Sequence, residues 1–153
     1  MNKQAGFTLV ELVVVIAVLG ILAATALPRF VNVQSNARVA SMNGLAASVR
    51  SAASMARAAW IAAGSPTSGK VKMDNIDIDV STTGNQPGYP KASDTGIKAS
   101  LQTLDDTNFT VSHTGTTSTF KSVNAAAPDS CSFTYDEGTG VVTTTSLTAD
   151  NCK

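Results

Sequence analysis

Acidic residues are absent from positions 12 to 73, histidine and tryptophan occur once each, cysteine occurs twice, and aromatics make up 5% of 153 residues. Each scarcity removes a class of reading. Two cysteines and His113 fall short of a four-ligand zinc set. A single histidine, with no strand-turn-helix nucleophile elbow among the serines, supplies no catalytic constellation, so the chain reads as no enzyme and as needing no cofactor. Asp74, Asp77 and Asp79 lack the glycine-turned loop and terminal Glu of a calcium hand, and in an alternating strand Asp77 and Asp79 share the solvent face. Asp136-Glu137, beside two glycines, reads likewise as hairpin chemistry, which leaves no metal site. Phe7, Phe30 and Trp60 are the only aromatics before position 88, too far apart for a stacked conduction path.

What the chain has instead is one long apolar run. Residues 7–27 form a segment of 21 residues with a single ionisable side chain, Glu11. As a helix it reaches about 31 Å, roughly the thickness of a membrane hydrocarbon core. A carboxylate in hydrocarbon costs several kcal/mol or loses its charge, so a lone intramembrane acid implies a partner or a function. The question for the sequence is what Glu11 pairs with.

Net charge is zero but unevenly distributed. Six Lys or Arg and no acid lie between positions 12 and 73, whereas ten acids face four lysines from position 74 onward. Opposite fields of this kind steer copies of a chain together. Four widely spaced arginines on a helix, without interleaved aromatics, make a weak footprint for nucleic acid as a main ligand. Cys131 and Cys152 lie 21 positions apart. An inserted N-terminus that exports the rest to an oxidising compartment favours a disulfide over two free thiols, worth about 3 kcal/mol by loop closure.

Positions 1–6 are a short polar leader with one positive residue, Lys3. Two cleavage points compete. A secretory signal peptide would be cut after the apolar run, and Ala23-Ala24-Thr25-Ala26 fits that pattern. Cutting at the Gly6-Phe7 junction would instead keep the apolar arm. Gly6-Phe7-Thr8-Leu9-Val10-Glu11, followed directly by the apolar run, resembles the processing motif of type IV prepilins and of the pseudopilins of type II secretion. The resemblance covers residues 6–34 closely. It implies a prepilin peptidase that cuts after Gly6 and methylates the new amine at Phe7, and a filament in which that amine meets Glu11 of a neighbouring subunit; the four-residue spacing also leaves a pair within one subunit open. A buried pair of this sort adds little net stability but penalises misalignment.

Pro28 removes a helical hydrogen bond, and with Gly20 it makes residues 20–28 the weakest part of the arm, where a kink is expected. The resemblance implies that this stretch loses helicity in an assembled pilus. Residues 29–63 continue the helix, with Phe30, Val33, Ala37, Ala40, Leu45, Val49, Ala52, Ala56, Trp60 and Ala63 as its apolar stripe. Gly64-Ser65-Pro66 stops it. Beyond the stop, residues 71–80 alternate as a half-buried strand around a break at Asp74-Asn75. Ile97, Leu101 and Leu104 mark a short helix capped by Ser93 or Asp94. Residues 109–112 and 116–122 read as strands, and residues 131–135 and 141–146 as arms of a hairpin inside the disulfide loop. Residues 88–97 also resemble the mannose-sensitive haemagglutinin type of pilin.

The expected fold is α+β, a long N-terminal helix packed against an antiparallel sheet head. Its parts are a leader at 1–6, a transmembrane and filament-core helix at 7–28, an amphipathic half at 29–64 and a head at 65–153. The expected function is a structural subunit of a type IV pilus for adhesion or motility. It would be anchored in the bacterial inner membrane with its head in the periplasm, then assembled by the inner-membrane pilus machinery into an extracellular homo-oligomer that meets a host or surface receptor. The alternatives are a secretion pseudopilin, a minor tip adhesin or DNA-uptake subunit, and a singly anchored periplasmic enzyme. Ser and Thr clusters such as 81–83 and 143–146 are candidate glycan acceptors or ordinary exposed polar surface.

Overall fold

The computed structural model describes residues 7–101 and 104–153. Its axis is one helix, α1 (Leu9–Ala62), 54 residues long and so about 81 Å from end to end. Thr8 starts it with an extended backbone, and the end is a paired glycine stop. The Gly64 N–H donates to the Ile61 carbonyl and the Ser65 N–H to the Trp60 carbonyl, both at 3.0 Å. That pairing requires the left-handed backbone found at Gly64, φ 80°. The helix runs unbroken through Gly20 and Pro28.

The head packs on the second half of α1. Strands β1 (Lys70–Met73) and β2 (Ile76–Asp79) form a hairpin, and β3 (Phe109–Thr114), β4 (Thr117–Ser122), β5 (Ser132–Asp136) and β6 (Val142–Thr143) form an antiparallel sheet in that order. The break at Asp74-Asn75 is therefore a two-residue turn. Both residues are left-handed, φ 45° and 67°, the conformation whose twist matches paired strands. Gly115, at φ 58°, opens the equally tight turn between β3 and β4.

Around the short helix expected at 97–104, a widened turn at Asp94–Lys98 runs on into helical residues 99–100, and residues 102–103 lie outside the described residues. Gly96 bends the path out of helical geometry, and a Cβ there would run into the Lys91 backbone. Ser93 precedes the turn but its side chain makes no cap bond. Ile97 is buried, as a core residue should be.

The helix stripe also needs correction. Phe30 and Val33 are exposed, as are Ala37, Ala40 and Ala63. The face that meets the head is Met42, Ala46, Val49, Ala53, Ala56 and Trp60, at intervals of three and four. Its alanines let the sheet approach closely. Met42, Ala46, Val49 and Ala53 close over Ile97, Phe120, Phe133, Tyr135, Val142 and both cysteines. The rings of Phe120 and Phe133 stack 4.9 Å apart. A smaller cluster joins Ala56 and Trp60 to Val71, Ile78 and Val80.

Candidate functional site

The half of α1 without a head is the unusual surface. Between positions 7 and 33, sixteen large apolar side chains are each at least 42% exposed, and Phe7 reaches 90%. They lie on every side of the helix, so no rotation against the head would cover them. A continuous apolar patch of this size on an isolated subunit marks a membrane or partner surface. Among the described residues α1 is the one helix long and apolar enough to cross a membrane. Polar side chains in and just beyond the arm return their bonds to the helix itself. Thr25 donates its hydroxyl to the Leu22 carbonyl at 2.9 Å, and Ser35 to the Val31 carbonyl at 3.0 Å. No hydrogen bond is thereby left for lipid to satisfy at either hydroxyl.

Glu11 has a partner within its own chain. The Thr8 N–H donates to Glu11 Oε2 at 2.9 Å, and the Thr8 hydroxyl reaches the same oxygen at 2.8 Å. The Glu11 N–H lies 3.3 Å from Thr8 Oγ1. This is a reciprocal capping box, which satisfies backbone donors at the helix start. Thr-x-x-Glu ahead of an apolar run is its sequence signature, and reading Glu11 only as a membrane charge hid it. Both bonds to the carboxylate end on Oε2, so neither uses Oε1. Gly6, the expected cleavage residue, lies outside the described residues, and Phe7 stands exposed immediately before the cap.

Gly20 sits within α1, and a Cβ there would meet nothing within 4 Å. The subunit's own fold thus does not require glycine at that position. Pro28 is accommodated in the same continuous helix.

Three arginines of α1 spend their hydrogen bonds inside the subunit, on uncharged acceptors of the head. Arg38 donates to the Cys152 carbonyl and Arg50 to the Val142 carbonyl, each at 3.1 Å. Arg57 donates to Gln86 at 2.9 Å and to the Tyr89 hydroxyl at 3.1 Å, with its guanidinium 4.7 Å from the Tyr89 ring centre. These three arginines latch the head to α1. Lys70 and Lys72 pair across the hairpin with Asp79 and Asp77, at 3.5 and 3.2 Å. Exposed Arg29 stands just beyond the apolar run.

The remaining sequence candidates fall into structural roles. Cys131 and Cys152 form a disulfide, buried against the core. His113 Nδ1 lies 2.8 Å from Ser118 Oγ, and Nε2 faces Asp94 at 3.4 Å. Among the described residues no three His, Cys, Asp or Glu side chains converge as metal ligands.

Known proteins give this geometry a context. Residues 1–27 match the family model described as a prokaryotic N-terminal methylation motif. The chain is 40% identical over 117 residues to the type IV narrow pilus major component PilA5 of Thermus thermophilus, covering 76% of this chain and 94% of that one. It is 41% identical over 85 residues to fimbrial protein Q of Moraxella bovis, 55% of this chain and 52% of that one. To the type IV major alpha-pilin of Moraxella bovis it is 50% identical over 44 residues, 29% and 28% of the two chains. No solved structure matches it.

Proposed function

This chain belongs to the type IV pilin family, and from that membership we propose how its parts divide the work of a pilus subunit. It is a structural protein that assembles with other subunits into a pilus filament. The observation that carries the reading is the pairing of a methylation motif with an apolar arm that its own head leaves bare.

In the proposed sequence, residues 7–28 anchor the subunit in the inner membrane, with residues 1–6 on the cytoplasmic side and the head in the periplasm. A prepilin peptidase cuts after Gly6 and methylates the amine of Phe7. That cut leaves the Thr8 N–H in a peptide bond, so the capping box survives processing. Glu11 Oε1 then remains to accept the Phe7 amine, of the same subunit or of a neighbour, and sets axial register as the arm enters the filament core. Gly20 and Pro28 are the positions where the packed arm yields. The intact helix of the subunit is the starting state for that change. Arg29, at the end of the apolar run, suits the headgroup layer.

The likeness of residues 88–97 to the mannose-sensitive haemagglutinin type of pilin is the narrower reading, supported by that stretch alone. Mannose-insensitive agglutination by cells bearing only this pilus rejects it. A secretion pseudopilin or a tip subunit draws no support from relatives named as pilus and fimbrial proteins.

Mass spectrometry of sheared surface filaments tests the main proposal. The expected chain begins at methylated Phe7 and carries the Cys131 to Cys152 bridge. A mature chain beginning after Ala26 overturns it, because the arm would then be absent from the product.

A further inference from the structure

We propose that Asn108 is an acceptor for an N-linked glycan, transferred after the head has crossed the membrane. Of nine asparagines in the chain, Asn108 alone begins an Asn-x-Ser/Thr triplet, Asn108-Phe109-Thr110. The triplet is placed where a transferase needs it. Asn108 is exposed in the turn that leads into β3, and Thr110 is exposed on β3 itself. β3 is the edge strand of the sheet, so its outer side is not covered by another described strand. Asp106, two residues before the acceptor, carries an exposed carboxylate that pairs with Lys98 at 3.5 Å.

The acceptor amide is held but not used up. Asn108 Nδ2 donates to Asp105 Oδ2 at 2.6 Å, and Asn108 Oδ1 accepts from Asn124 at 2.8 Å. An amide nitrogen carries two hydrogens, so one stays on Asp105 while the other is replaced. In the transfer, Nδ2 bonds to the anomeric carbon of a sugar carried on a lipid pyrophosphate. The carbon–oxygen bond to the pyrophosphate breaks with its electron pair, and the displaced amide proton passes to a base of the transferase. No oxidant or reductant is required.

Position along the helix also fits a lipid-borne donor. Asn108 lines a groove with Ala37, Arg38 and Ser41 of α1. Arg38 is eleven residues beyond Leu27, about 16 Å up the helix from the apolar run. The anchored subunit therefore holds this triplet close to the periplasmic face of the inner membrane, within reach of a donor embedded there.

The test uses the full chain recovered from both the membrane fraction and sheared filaments of its own cells, so that failure to form filaments does not obscure the result. After trypsin, peptide 99–121 should carry a glycan mass that resists alkaline elimination. Thr110→Ala and Asn108→Gln should each remove it, and Thr110→Ser should retain it, with the head equally resistant to denaturant in the two Thr110 variants. An unmodified peptide in both fractions overturns the proposal. So does a glycan released by mild alkali, which would lie on a Ser or Thr hydroxyl.

Discussion

Replacing Glu11 by glutamine separates the observed capping function of the carboxylate from its proposed function in assembly. In the subunit it completes a capping box with Thr8, and glutamine fills that position as well as glutamate does. The helix start should change by less than about 0.5 kcal/mol, since a lost cap altogether costs only ~1 kcal/mol. In the proposed filament pairing, by contrast, the substitution acts through charge. Removing one member of a buried ion pair costs about 3–5 kcal/mol, because the Phe7 amine of the pair is left unmatched. At about 1.4 kcal/mol per decade, the addition constant for each subunit should fall by more than about 100-fold. The assay compares subunit in sheared filaments with subunit in membranes by immunoblot, and counts filaments by electron microscopy. Glu11→Gln should accumulate in membranes at the native level and appear in few or no filaments. Native filament numbers from Glu11→Gln, with loss only in Glu11→Ala, would show that capping and not charge is what assembly needs.

Three further perturbations address the head. Replacing both Cys131 and Cys152 by Ser should lower stability by about 3 kcal/mol, read as a lower denaturant midpoint with a steeper slope because the unbridged unfolded chain exposes more surface, while membrane insertion of the arm persists. Gly88→Ala should be destabilising by more than about 1 kcal/mol, since its backbone is left-handed and the new Cβ would run into the Trp60 ring; a shifted tryptophan emission and a lower midpoint check it. Tyr135 is buried, its hydroxyl donates to the Pro90 carbonyl at 2.7 Å, and burial with nearby Glu137 pushes its pKa above the usual tyrosine value. Its contribution is therefore complete below pH ~10 and is lost as pH rises past that value. Tyr135→Phe should cost about 1–3 kcal/mol at neutral pH by orphaning the carbonyl, and should flatten the alkaline fall in denaturant midpoint.

The parts of the fold most legible in the sequence were those set by local chemistry. Gly64-Ser65-Pro66 announces the end of α1 because only a residue tolerant of left-handed backbone completes that stop. The cysteine pair is legible from compartment and spacing. The buried face of α1 was legible only in part: Val49, Ala52, Ala56 and Trp60 are buried as the stripe expects, but alanine and serine give little contrast around the rest of the helix. Ala46 and Ala53 are buried while Ala37 and Ala40 are exposed, with no difference in residue type to signal it. The Asp74-Asn75 turn was obscured because neither residue is glycine, although both adopt left-handed backbone. At the candidate site the apolar arm was plain, but the capping box lay hidden under the stronger membrane signal.

Burial energetics then restrict how such an arm reaches a filament. Sixteen large apolar side chains, at ~1.5 kcal/mol or more each when removed from water, represent on the order of 20 kcal/mol. That exceeds the ~5–15 kcal/mol that holds a domain folded, so the arm passes from lipid to neighbouring arms without a stage in water. Lipid tails are as apolar as leucine, and the transfer between them gains almost nothing from the hydrophobic effect. The apolar side chains therefore fix where the arm resides but not that it assembles. Assembly must draw on features that differ between lipid and a bundle of helices. In the arm the proposed candidates are Glu11, whose charge lipid opposes and an adjacent amine would accept, and Gly20, whose missing side chain would let a second helix come close. The proposal leaves the rest to the head, which Arg38, Arg50 and Arg57 hold on α1. Loosening that hold with Arg50→Ala should thus lower the yield of sheared filaments without releasing the subunit from the membrane fraction.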